Sequence, residues 1–175
     1  MTYIVVALKA EAQAFVDAYK LKKSKLGSFT LYSNNTMRLI ISGMGVTNAR
    51  LATQTLINNY DITDEDSYYN IGICGASKAY VVGEVLEIGG VVYEGLRNTF
   101  NDEQKEILCI DKAVSSSSEY EIVDMESFGF YDAVIHNPAI KNFAIIKVVS
   151  DHFEPQSVTK EGAKMLLFQA IKDMF

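Results

Sequence analysis

Cysteine is scarce, positive charge is outnumbered and long apolar runs are missing, and each shortage excludes a class of function. The two cysteines, Cys74 and Cys109, fall inside apolar strand-like runs, where a thiol serves as a small hydrophobe. Neither a disulfide nor a metal site is expected, and no cofactor is implied. Sixteen Lys+Arg against twenty-two Asp+Glu leave a net charge of −6, which repels phosphate backbones and anionic lipid. Nucleic acid and membrane surfaces are therefore poor partners. The one basic cluster, "YKLKKSK" at 19–25, reads as a solvated face between a helix and a strand. No apolar stretch is long enough to cross a bilayer, and "MTYIVVALKAEAQAF" lacks the basic start and cleavage site of a signal peptide. A cytoplasmic location is the expectation.

What is present is an ordinary globular composition, with 49% hydrophobic and 22% charged residues in 175. This length suits one domain, 1–175, with a substantial core. "YIVVAL" is a β-branched run, and "KAEAQAFVDAYK" after it places Ala10, Ala14, Phe15 and Ala18 at helical spacing. "SFTLYSN" and "TMRLIISG" flank the turn signal "NNT" and predict a hairpin. A glycine-rich turn then opens a helix near Thr47, and "SYYNIGICGA" returns as a strand. "GEVLEIG" and "GVVYEGL" read as two strands separated by glycine, with another at "EILCID". "SSSSEY" is a polar loop, "EIVDMESFGFYDAVI" changes from strand to helix near Met125, "NFAIIKVVSD" is the last strand, and an amphipathic helix closes the chain. No repeat or linker is visible. Strands alternating with helices, together with hairpins, predict a three-layer α/β/α domain with a central mixed sheet.

Ligands in open α/β sheets bind outside the carboxyl ends of the strands, and small or acidic residues gather at those places. Glu11 follows the first strand, "SGMG" spans 42–45, "GICGA" spans 72–76 and "SDH" spans 150–152, while "VDMES" sets Asp124 and Glu126 at a strand-to-helix junction. Each feature also has a plain structural explanation. Glycines make tight turns, Asp124 and Asp151 can cap the segments after them, and Glu126 in a first helical turn suits the dipole. At a helix start Glu126 is expected to be exposed or half-exposed.

Taken in order, "ALKAE", "SGMGVTNA", "NIGICGA", "VGEV", "VDMES" and "VVSD" resemble, from end to end, the nucleoside phosphorylase family, on the side of its methylthioadenosine/S-adenosylhomocysteine nucleosidases. The resemblance implies a nucleoside or nucleobase as small-molecule partner, cleavage of an N-glycosidic bond, and a homodimer that completes the 5′ pocket. It implies that Asp151 protonates the purine at N7 with Ser150 positioning it, that Glu126 accepts from the ribose hydroxyls with Met125 beside the sugar, that Glu11 orients water, and that the backbone of Gly43 to Gly45 lines the sugar. Such residues suit the chemistry, because an oxocarbenium-like sugar and a protonated leaving purine need an acid, sugar anchors and a nucleophile.

Three departures bear on the reaction. Ile73 stands where the family carries a hydroxyl, and an alkyl chain cannot bond phosphate or water. No arginine occupies the N-terminal loop, and Arg50 falls on a helix, so hydrolysis is expected over phosphorolysis. Asp124 is one methylene shorter than the family's glutamate. The segment between "GEV" and "VDMES" is short, which abbreviates the base pocket; Tyr93, Phe100 and Tyr120 are the aromatics there. His152 could shuttle a proton or simply be a hydrogen-bonded, partly buried side chain. An enzyme and a non-catalytic nucleoside-binding protein both fit, with phosphorolysis third.

Overall fold

The computed structural model describes residues 1–113, 121–172 and 174. Its elements are β1 (Thr2–Val6), α1 (Lys9–Tyr19), β2 (Lys22–Leu26), β3 (Phe29–Ser33), β4 (Met37–Ile41), α2 (Val46–Asn59), β5 (Ser67–Ala76), β6 (Val85–Tyr93), β7 (Leu96–Thr99), β8 (Lys105–Cys109), β9 (Ile122–Asp124), α3 (Ser127–Ile135), β10 (Asn142–Asp151) and α4 (Lys160–Ile171). β1 lies parallel to both β4 and β5, and β10 lies parallel to β5. Chain reversals supply the antiparallel part: β2 on β3, β3 on β4, β7 on β6, β6 on β10 and β9 on β5. β6–β8 and β8–β9 are parallel. The strands β5, β10, β6, β8 and β9 consequently pair in a ring, while β1, β4, β3 and β2 extend it as an open sheet.

Alternation along β1 divides the interior into two layers. Tyr3 and Val5 face Val46, Ala52 and Leu56 of α2 and Phe130 and Val134 of α3. Ile4 and Val6 face Ala12 and Phe15 of α1 and Leu167 and Ile171 of α4. Helices thus cover both faces of a mixed sheet, which is the three-layer α/β/α arrangement expected from the sequence.

Two stretches differ from their expected form. The two strands predicted on either side of the glycine pair are one strand, β6, which runs through Gly89 and Gly90, and its neighbour is β7 beyond the turn at Glu94–Gly95. The Gly89 carbonyl accepts from the amides of Phe100 and Asn101 at 2.8 and 2.9 Å, so chain crosses the strand there without breaking it. The basic cluster is β2, whose first four residues are exposed. Among the described residues it pairs only with β3, and lysines on such an edge discourage further pairing.

Candidate active site

Because β1, β5 and β10 run parallel, their carboxyl ends reach the same side of the sheet, and a cleft of about 250 Å³ opens there. Glu11, Met125, Glu126, Ser150 and Asp151 line it, as do Asp124, Met44, Ile73 and Phe153. Four carboxylates therefore converge on one small volume. Among the described residues lining it there is no Lys, Arg or His, and none of the described residues form a group of three or more His, Cys, Asp or Glu side chains suited to a metal ion.

Glu11 enters the cleft from the first turn of α1. The residue ahead of that helix, Leu8, has no oxygen with which to cap it, and Glu11 caps it instead, with Oε2 accepting from the amides of Ala7 and Leu8 at 2.9 and 2.8 Å. Oε1 accepts from the Ile73 amide at 3.0 Å. A carboxylate oxygen accepts two hydrogen bonds, so one acceptor place on Oε1 remains for a ligand or water. Gly72 keeps that oxygen where it is, since a Cβ at this position would stand 2.9 Å from Oε1. Burial pushes the Glu11 carboxyl above the usual range, against the pull of the three amides and of Lys147. A carboxylate so held is a stronger base than one in water.

Glu126 lies at the junction of β9 and α3 and is buried, 8% exposed, which corrects the expectation of an exposed helix start. Its Oε1 accepts from the Gly45 amide at 2.9 Å. Gly45 has φ 99°, a left-handed region that glycine enters without strain, and this aims its N–H at Glu126. Burial is the main reason that the Glu126 carboxyl is raised to about 7; Asp124 raises it further, while Lys147 and the Gly45 amide oppose.

Asp124 has a larger part than its shortened side chain suggested. Its Oδ2 accepts from the amides of Glu126 and Ser127 at 3.3 and 2.9 Å, and its Oδ1 accepts from Ser127 Oγ at 2.6 Å. Oδ2 also meets Lys147 Nζ at 2.7 Å, with the two side chains 0% and 1% exposed. Lys147 is a residue that sequence reasoning missed. Burial alone would lower its ammonium, but Asp124, Glu126 and Glu11 more than offset this and leave it above the ordinary lysine range.

At the other end, Asp151 closes β10. Its Oδ1 accepts from the Glu154 amide at 2.7 Å, the bond that a capping aspartate makes. Its Oδ2 lies 2.7 Å from Ser150 Oγ, which is also 3.0 Å from the Cys74 carbonyl. One hydroxyl proton cannot serve both acceptors. When Ser150 donates to Cys74, Asp151 Oδ2 can carry a proton and donate to Ser150, so the pair suits either protonation state. His152 turns away, donating from Nδ1 to the Ala76 carbonyl at 3.1 Å. Phe153, with φ 62° and 4% exposed, faces the cleft in a backbone region unusual for an aromatic residue. It too was missed.

The remaining candidates fall elsewhere. Gly43 and Gly45 do not line the cleft; Met44 between them does. Tyr93 stacks on Phe128 at 4.5 Å, and Phe100 stacks on Tyr131 at 5.2 Å, so both serve packing. Tyr120 lies outside the described residues. Arg50 pairs with Asp132 of α3 at 2.7 Å.

Fold and cleft together define a three-layer α/β protein with a carboxylate-lined pocket at the carboxyl ends of its strands. Neither a family model nor a curated protein matches the chain by sequence. Solved structures do match. The chain is similar to 5′-methylthioadenosine/S-adenosylhomocysteine nucleosidase of Neisseria meningitidis, in complex with methylthio-immucillin-A, at 18% identity and TM-score 0.78 over 97% of this chain and 96% of that one. It is similar to futalosine hydrolase of Helicobacter pylori at 13% identity and TM-score 0.82 over 99% and 96%. It is also similar to 5′-methylthioadenosine nucleosidase of Arabidopsis thaliana at 18% identity and TM-score 0.75 over 98% and 96%. At these identities the likeness is one of fold.

Proposed function

We propose that the protein is a purine nucleosidase, an N-ribosyl hydrolase of the 5′-methylthioadenosine/S-adenosylhomocysteine type, acting as a single unit over residues 1–175. The observation that carries this reading is the meeting of Glu11, Glu126 and Asp151 in one cleft. In the proposed reaction the C1′–N9 bond breaks and its electron pair moves onto the purine as Asp151 delivers a proton to N7. Glu126 accepts from the ribose hydroxyls, and these bonds strengthen as positive charge grows on the sugar. Water bound at the free acceptor place of Glu11 Oε1 forms the new C–O bond at C1′ and gives its proton to Glu11. Water is preferred to phosphate because no described cation faces the cleft and Ile73 offers no hydroxyl.

A second reading, a nucleoside-binding protein without turnover, is favoured by the same Ile73 and by Glu11, three of whose acceptor places the backbone already fills. Purified protein incubated with a panel of purine nucleosides, with and without phosphate, distinguishes the readings. Free base and ribose released without phosphate are the expected products. Ribose 1-phosphate as main product would overturn hydrolysis, and binding without base release would leave the second reading.

A further inference from the structure

Lys147 is the one buried cation among the described residues, and the hydrolytic reaction leaves it without a role. A buried ion pair is a poor way to stabilise a fold, since an apolar pair of equal volume does as well or better. Geometry supplies another reason for it. Lys147 Nζ meets the same Asp124 oxygen, Oδ2, that accepts from the amides of Glu126 and Ser127. The ammonium is thus tied through one atom to the backbone that carries Glu126. The Glu126 side chain is held separately by the Gly45 amide on Oε1, and no described protein donor reaches its Oε2.

We propose that Lys147 is a positioning residue which, through Asp124, fixes both the place and the charge of the Glu126 carboxylate, so that this end of the cleft accepts sugar hydroxyls only while the pair is intact. The sugar-binding half rests on the nucleosidase reading; the coupling does not. Charged groups reach Glu126 from each neighbouring element: Asp124 from β9, Lys147 from β10 and Glu11 from α1, with the Gly45 N–H from the start of α2. Asp151 lines the same cleft. Asp124 raises the Glu126 carboxyl and Lys147 lowers it, so the two charges act on it in opposite directions. Removing the ammonium alone leaves Asp124 unopposed. Removing the Asp124 charge takes away a charge that raises it.

The experiment follows the Glu126 side-chain carboxyl carbon by NMR through a pH titration, without substrate, in the parent, Lys147→Arg, Lys147→Met, Asp124→Asn and Lys147→Met/Asp124→Asn. The parent should titrate near its value of about 7, and Lys147→Arg should match it. Lys147→Met should titrate about one pH unit higher, the size expected of a lost unit charge at short range. The double variant, in which Asp124 no longer raises the carboxyl, should titrate below Lys147→Met, and Asp124→Asn alone should titrate below the parent, which decides the matter if Lys147→Met fails to fold. An unmoved Lys147→Met, or an Asp124→Asn that titrates at or above the parent, overturns the coupling. Calorimetric binding of adenosine across the same pH range tests the sugar half: affinity should be lost as Glu126 takes up its proton, and at pH about 7 Lys147→Met should bind roughly fivefold more weakly. Adenosine affinity whose pH dependence does not follow the Glu126 titration from one folded variant to the next, or a parent that binds no adenosine, overturns that half while the titration still decides the coupling.

Discussion

The two ends of the cleft hold their acids by different means. At the Glu126 end, three carboxylates and an ammonium come from α1, β9, β10 and the β9–α3 junction, and each is fixed by contacts distant in sequence: Glu11 with Ile73, Glu126 with Gly45, Asp124 with Lys147. At the Asp151 end, the partners of the acid are its own neighbours, Ser150 and Glu154. A network of long-range charges makes its members depend on one another, whereas a local set of hydrogen bonds can be altered piece by piece. Substitutions at the first end should therefore act on charge and stability together, and those at the second mainly on rate.

Glu126→Gln should show the largest effect. If the protein is the proposed nucleosidase, loss of this carboxylate is expected to abolish base release, measured with the nucleoside panel on parent and variant alike. The same change should make the protein more stable at neutral pH. A carboxyl raised to about 7 contributes fully to folding below its unfolded pKa of about 4.3, and that contribution is lost as pH rises through the folded value, roughly 4 kcal/mol in all. Glutamine suffers no such loss. The difference in Tm, variant minus parent, should grow between about pH 4.5 and 7.5. A difference constant with pH would show that Glu126 is not charge-coupled as described, and turnover equal to the parent's would remove it from the site.

Asp151→Asn should come next, with turnover lower by roughly 10²- to 10⁴-fold, the usual contribution of a positioned general acid, and with much less effect on nucleoside binding. The Glu154 amide bond admits the opposing view that Asp151 is only a cap, in which case the change should cost at most ~1 kcal/mol of stability and leave the rate alone. A melt and a base-release assay on the same sample distinguish the two. Stability lowered with rate unchanged would make this end of the cleft architecture.

The contrast between the ends also explains what could be read from the sequence. Glu11, Glu126 and Asp151 were legible because each sits where a strand gives way to a helix or turn, and strand ends show in hydrophobic patterning. Lys147 was hidden inside "NFAIIKVV" because its partner, Asp124, belongs to another strand, and a lone lysine in an apolar run does not reveal what neutralises it. Phe153 was hidden because a left-handed backbone at an aromatic residue has no sequence signal, unlike one at glycine. Tyr93 and Phe100 looked available as stacking residues, and only the packing of α3 against them shows otherwise. β2 escaped notice because a strand with almost all of its residues in water carries no apolar alternation.

The smallest expected effect is the most specific to the Asp151 end. Ser150 Oγ stands between the Cys74 carbonyl and Asp151 Oδ2. If its role is to hold Asp151 in either protonation state, Ser150→Ala removes one hydrogen bond from the acid without touching the Glu154 amide, which still fixes Oδ1. Turnover should fall roughly tenfold, the rate equivalent of about 1.4 kcal/mol, with stability lower by about 1 kcal/mol for the lost bond. Ser150→Cys, a weak donor of similar shape, should lie between alanine and the parent in rate. If the hydroxyl serves only to satisfy the Cys74 carbonyl, both variants should melt earlier than the parent and turn over at its rate. The Glu126 titration should be unchanged in either case, because the local bonds of this end do not reach the charge network at the other; movement of that titration in Ser150→Ala would mean that the two ends are one coupled system.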